Sequence, residues 1–165
     1  MVELTIKKRH AIKKGQLNSL MTKLSDAIGE DANLYKAPMI EIAETVSKFN
    51  IYIIDKKPML IEKDTWAFPT LRGAIARPFS GRRISVDMGA IPYVINGADI
   101  MRPGIVSVTD DIKANMPALV VDESHDKPLA VVLPLYDAAE LRALEKGKAA
   151  KNLHYIGDEL WNMEL

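Results

Sequence analysis

The 165-residue chain contains no cysteine, which removes disulfides, thiolate metal ligands and thiol nucleophiles in one step. It has no run approaching the roughly 18 apolar residues of a membrane-crossing helix. The opening MVELTIKKRH lacks the apolar core of a secretory signal. Net charge is also missing: 22 Lys and Arg balance 22 Asp and Glu, so total charge gives no argument for a nucleic-acid partner. The three histidines, His10, His125 and His154, are too far apart for HxH, HxxxH or HExxH spacing, and no metal site is expected. Gly97 and Gly104 do not form GxGxxG, and no Lys-Ser or Lys-Thr follows them. A dinucleotide or triphosphate cradle would also need a strand before its glycines and a helix after them. The serines at 80, 85 and 107 have no GxSxG context. The expectation is a cytoplasmic protein that needs no cofactor and makes no membrane contact.

What is present is a globular composition, 48% hydrophobic and 27% charged, in a chain of one domain or two small ones. Charge is unevenly placed. Residues 7–14, KKRHAIKK, carry Lys7, Lys8, Arg9, Lys13 and Lys14 with no acid among them. A second basic set, Lys146, Lys148 and Lys151, lies near the end, while acids gather at 110–126 and 158–164. A neutral protein can still hold RNA phosphates through such patches, because the local field is what acts; a merely solvated charged face is the competing reading.

Periodicity divides the chain. A strand is expected in ELTIKKRH, followed by a helix from about Lys14 with a single apolar stripe of Leu17, Leu20, Met21, Leu24, Ala27 and Ile28. Gly29 stands where a C-cap glycine belongs. Between 39 and 62 the pattern becomes that of sheet, with a hairpin turn around Asp55–Pro58. ARPFSGR at 76–82 breaks both periods and is the expected boundary. RISVD is then a strand. Asp87 is the expected N-cap of a short helix that Pro92 forces to begin near Ala90 and Asn96-Gly97 ends. Brief strands follow at GIVSV, PALVVD and LAVVLPL, as in a small barrel or sandwich. YDAAEL predicts a helix capped by Asp137, with Glu140 closing a capping box, ending near Lys146-Gly147. NLHYIGDELW is the last strand and its turn.

Of the candidate chemistry, Asp87, Asp99, Asp110 and Asp111 could furnish a carboxylate pair, but each also has a turn or capping role. Binding suits the residues better. The amides near Gly89-Ala90 open a helix, and Gly97 and Gly104 leave bare backbone beside Met101 and Arg102. Arg102 can pair a phosphate or stack on a base, and Arg82 and Arg83 extend the positive end.

SVDMGAIPYVINGADIMRPGI resembles the signature of a PUA domain, the RNA-binding module of pseudouridine synthases and archaeosine transglycosylases, and KGKAAKNLHYIGDELW resembles that domain's closing segment. TIKKRHAIKKGQLNSL and WAFPTLRGA resemble the domain preceding PUA in archaeal proteins akin to the MCT oncoprotein and ligatin, which act in translation. The resemblance implies an α+β chain, with a small α/β domain over 1–78 and a PUA pseudobarrel of mixed strands and short helices over 79–165. It implies an RNA-binding protein rather than an enzyme. The RNA would be a tRNA acceptor end or ribosomal RNA, in initiation or recycling, with an initiation-factor-like protein as possible partner. A protein-interaction adaptor on the ribosome and an accessory to an RNA-modifying enzyme are the alternatives. Carried over residue by residue, the RNA surface would comprise Gly89, Ala90, Tyr93, Val94, Gly97, Ala98, Met101, Arg102 and Gly104. His154 and Tyr155 lie at its edge, and Arg82, Arg83 and Lys151 add cations. Val94 and Met101 fit a core as well as a contact, and Arg102 is the residue to test first.

Overall fold

The structure is a computed structural model that describes residues 4–47 and 49–165. It divides into two compact units, Met1–Phe79 with Asn162–Leu165, and Ser80–Trp161.

The first unit opens with β1 (Ile6–Ala11) and α1 (Lys14–Ile28). The start expected for that strand, Glu3, lies outside the described residues. The apolar stripe of α1 buries Leu20, Leu24, Ala27 and Ile28, and Gly29 ends the helix at φ 63°. A 3₁₀ segment, Gly29–Tyr35, leads to β2 (Glu41–Thr45), β3 (Asn50–Ile54), β4 (Lys57–Lys63) and β5 (Trp66–Pro69). The five strands form an antiparallel meander in chain order. Asp55 and Lys56 both take positive φ, as a two-residue primed hairpin turn requires. β5 and the following α2 (Leu71–Ala76) are additions to the predicted elements. Thr70 starts α2: its Oγ1 accepts from Gly73 N at 3.0 Å and donates to Pro58 O at 2.6 Å. A buried carboxylate, Glu62, is satisfied by Lys23 Nζ at 3.0 Å, Asn50 Nδ2 at 2.8 Å and the Tyr52 hydroxyl at 2.9 Å.

The second unit contains β6 (Arg83–Val86), α3 (Ile91–Val94), β7 (Ile100–Met101), a 3₁₀ turn over Arg102–Gly104, and β8 (Ile105–Val108). Then come β9 (Ala118–Asp122), β10 (Pro128–Pro134), α4 (Ala138–Ala143) and β11 (Lys148–Tyr155). The strands form one six-stranded mixed sheet in the order β7-β11-β10-β9-β6-β8. β6 runs parallel to β9 and the other neighbours are antiparallel. The sheet curls as a pseudobarrel around Ile84, Val86, Ile100, Val120, Val132 and Ala150, with Val94 and Leu141 closing the core from the helices. Two expectations need correction. Asp137 does stand at the N-cap of α4, but it makes no capping bond there; its Oδ1 accepts from the Ala114 amide at 2.8 Å instead. α4 also stops at Ala143, because Leu144 is already extended, and β11 begins at Lys148.

Candidate nucleic-acid interface

The segment from Val86 to Gly104 folds as a rim around a cleft of ≈ 390 Å³. Asp87 begins it. Its Oδ1 accepts from Ala90 N at 2.9 Å, and its own amide donates to Gly104 O at 3.0 Å, so the two ends of the segment meet. Pro92 sits in the first turn of α3, where its missing N–H costs nothing. Gly97 then reverses the chain at φ 90°, and a Cβ there would stand 2.8 Å from the Tyr155 ring. Glycine is required twice over, for its dihedral and for that approach. A Cβ on Gly104 would come 3.1 Å from Ala90 Cβ, so Gly104 keeps the cleft open.

Val86, Asp87, Gly89, Ala90, Tyr93 and Val94 line the cleft on one side, and Asp99, Ile100, Met101, Pro103 and Gly104 on the other. Six of these were singled out from sequence: Gly89, Ala90, Tyr93, Val94, Met101 and Gly104. Tyr93 is 70% exposed and Met101 50% exposed, large apolar groups held in solvent beside an apolar hollow. Val86, Asp87, Asp99, Ile100 and Pro103 are the additions to the expected contacts, two of them aspartates considered above for other chemistry. Asp99 Oδ1 accepts from Asn152 N at 2.9 Å and Oδ2 pairs with Lys148 Nζ at 2.9 Å. Partial burial works to raise the Asp99 carboxyl, but the Lys148 bond, the Asn152 amide and the charges of Lys148 and Lys151 together hold it below the ordinary range. One edge of the cleft therefore holds the Asp99–Lys148 ion pair, its charges balanced, with the exposed Lys151 beyond it.

The remaining predicted contacts fall elsewhere. Ala98 is exposed and its carbonyl accepts from Asn152 Nδ2 at 3.0 Å. Val94, on the cleft wall, is at the same time buried in the core. Three of the expected side-chain contacts are engaged within the unit: His154 and Arg82 are buried, and Arg102 is partly buried. His154 is 2% exposed, its Nδ1 held by Asp158 at 2.8 Å. Arg82 is 8% exposed and its amide is gripped by both oxygens of Asp111 at 2.9 and 3.0 Å. Arg102 directs Nε to Leu141 O at 2.7 Å, Nη1 to Ile105 O at 3.1 Å and Nη2 to Arg142 O at 3.4 Å. Arg83 turns Nη1 to Gly81 O at 2.8 Å, and the Tyr155 ring lies against Gly97. No local pattern marks these partners: Gly81, Ile105 and Asp158 are near in sequence but carry no signal of the contact, and the rest are distant. The four aspartates considered as a catalytic pair are likewise engaged: Asp110 pairs with Arg142 Nη2, and the others as described.

The mixed sheet, the helix-glycine-strand rim and the cleft define the second unit as a PUA domain. Residues 82–156 match the PUA domain family, and residues 8–75 match the domain of unknown function DUF1947. Uncharacterized protein MJ1432 of Methanocaldococcus jannaschii is 38% identical over 162 residues, 98% of this chain and 99% of that one. Translation machinery-associated protein 20 of Eremothecium gossypii is 29% identical over 92% of this chain and 86% of its own length. The crystal structure of hypothetical protein PH0734.1 from Pyrococcus horikoshii superposes with a TM-score of 0.83 at 30% identity, covering 93% of this chain and 98% of that one. The chain belongs to the family of MJ1432, proteins that join the DUF1947 and PUA domains and are homologous to translation machinery-associated protein 20 and the malignant T-cell-amplified sequence proteins.

Proposed function

We propose that the chain is a non-enzymatic RNA-binding protein of the translation machinery, acting in the cytoplasm, whose PUA cleft receives an unpaired nucleotide. The observation that carries this is the apolar cleft of ≈ 390 Å³ with Tyr93 and Met101 exposed at its lip. That volume suits one small-molecule-sized group. An exposed aromatic ring stacks on a base, and single-stranded RNA is recognised in this way because its bases are free to splay out. Asp99 can accept from a base amino group or a ribose hydroxyl, its charge balanced by Lys148, and the backbone falls to Lys151 and the amide of Gly89. The RNA we favour is the acceptor end of tRNA or a loop of ribosomal RNA, in initiation or recycling; homology to translation machinery-associated protein 20 supports that setting. An initiation-factor-like protein partner belongs to the same proposal.

The test is binding of labelled tRNA, intact and lacking its unpaired 3′ nucleotides, to the full chain. Tyr93→Ala should cost about 1–3 kcal/mol of affinity, the value of one stacked base, and Tyr93→Phe should retain it. Equal binding by wild type and Tyr93→Ala would remove the cleft from RNA recognition. Associations from cells that survive complete ribonuclease treatment would favour the protein adaptor instead.

A further inference from the structure

Resting on that RNA-binding reading, we infer that β1 and the head of α1 form a second RNA contact, a phosphate-binding strip on the first unit that is separate from the cleft. All six residues of β1 are exposed, on both faces of the strand. β1 is also the edge of its sheet, paired to β2 alone. The strand is held by its ladder of backbone hydrogen bonds to β2, and none of its side chains is buried.

Those side chains are cationic. Lys7, Lys8, Lys13 and Lys14 are all exposed, and among the described residues none of the four has a carboxylate within ion-pair distance. Arg9 is the exception: its Nε and Nη2 fork onto Glu41 at 3.3 and 3.1 Å. Glu44, the register partner of Lys8, is the other acid on β2. Five Lys and Arg in residues 7–14 therefore face two glutamates, a local excess of three charges in a chain whose total is zero. A groove of ≈ 240 Å³ runs beside the strand, lined by Lys7, Lys8, Glu44, Thr45 and Asn50.

Lysines on an open edge also discourage strand-to-strand aggregation, and that would account for Lys7 and Lys8. It does not account for Lys13 and Lys14, which lie beyond β1 at the head of α1, with no acid in the first turn. The helix dipole disfavours cations at that end, so the two lysines stand there at some expense to stability. A protein partner fits the strip poorly. Interfaces rely on aromatic and apolar anchors, whereas β1 offers one large apolar side chain, Ile6. A phosphate backbone asks only for exposed cations, and displaced counterions supply the free energy.

The experiment measures the salt dependence of tRNA binding to the full chain, for wild type, for the quadruple variant Lys7→Gln, Lys8→Gln, Lys13→Gln, Lys14→Gln, and for the same four positions changed to Arg. Each phosphate contact contributes about 0.7 to 0.9 to the slope of log K against log salt. The Gln variant should lose roughly 3 from the slope, and the Arg variant should keep it. Tyr93→Ala in parallel should lower affinity with the slope unchanged, which reports on the cleft independently. A Gln variant with the wild-type slope overturns the strip and leaves the cleft reading standing. If that variant also self-associates in sedimentation, the lysines are edge protection and the inference again fails. An Arg variant that loses the slope overturns it too, because charge is then not the cause. A wild-type chain that binds tRNA without salt dependence overturns the strip alone, and one that does not bind tRNA at all overturns both readings together.

Discussion

A guanidinium offers five N–H donors in a rigid fork, and Arg102 spends three of them on the backbone carbonyls of Leu141, Ile105 and Arg142. Two of these acceptors belong to the last turn of α4, where helix carbonyls lack intrahelical partners and the dipole is negative. Arg102 thus ties the turn before β8 to the end of α4. Its removal should destabilise the protein by about 2 kcal/mol, the scale of charge-assisted bonds to carbonyls. Arg102→Lys should restore little, since an ammonium cannot span three diverging acceptors. Urea unfolding of the full chain measures this. A variant with unchanged stability but weaker RNA binding would instead return Arg102 to the contact surface. The sequence marks Arg102 as the lone arginine between two glycines, but two of the three carbonyls that occupy it come from 39 and 40 residues away. His154 was hidden differently: its partner is only four residues on, yet nothing local says that the pair is buried. Glycines are more legible, because a positive φ is a property of the residue itself; Gly29 and Gly97 stand where the pattern puts them.

Elements with a strong period were readable, and elements defined by their neighbours were not. α1 announces itself by its stripe, and the β3–β4 hairpin by alternation and its turn. β7 is two residues long and exists only because β11 pairs with it. The turn after β11 shows how one side chain can hold an element's end. Asp158 accepts from the His154 ring, from Tyr155 N at 2.9 Å and from Trp161 N at 2.8 Å. Burial works to raise its carboxyl, but the His154 bond and charge and the two amides prevail, and it lies below its ordinary value. An unfolded Asp titrates near 4. Between the folded and unfolded values the unfolded chain holds more protons, so stability rises with pH there. The contribution of Asp158 is therefore fully present above about pH 4 and is lost as pH falls through the lower, folded value. Asp158→Asn should be less stable than wild type at pH 7, and the gap should narrow as both are taken from pH 5 towards pH 2. A gap that stays constant over that range would show that the carboxylate charge is not what holds the turn.

At the scale of the molecule, no strand is shared between the two sheets among the described residues: one ladder runs through residues 6–69 and the other through 83–155. The core around Ile84, Val120 and Val132 draws every member from residues 84–150, although the parallel β6–β9 pair joins segments more than thirty residues apart. The expected boundary near residue 78 came from a change of period and a cluster of Pro, Ser and Gly, which registers a break in pattern but says nothing of which residues each core recruits. Grouping by contact leaves Asn162–Leu165 with the first unit, a detail that no local composition could convey. We propose that the second unit folds alone, since its sheet and core are complete without the first. A domain of this size buries only about 60% of the surface its unfolded chain exposes, so its margin is small. It should nevertheless unfold cooperatively. The fragment Ser80–Trp161, 82 residues, should give a single calorimetric transition with an enthalpy on the order of 55 kcal/mol near 60 °C, following the usual ~0.7 kcal/mol per residue. Calorimetric and van't Hoff enthalpies should agree, as two-state unfolding requires. A fragment that shows no transition while the full chain does would mean that the PUA core depends on residues 1–79, and the two-domain proposal would fail.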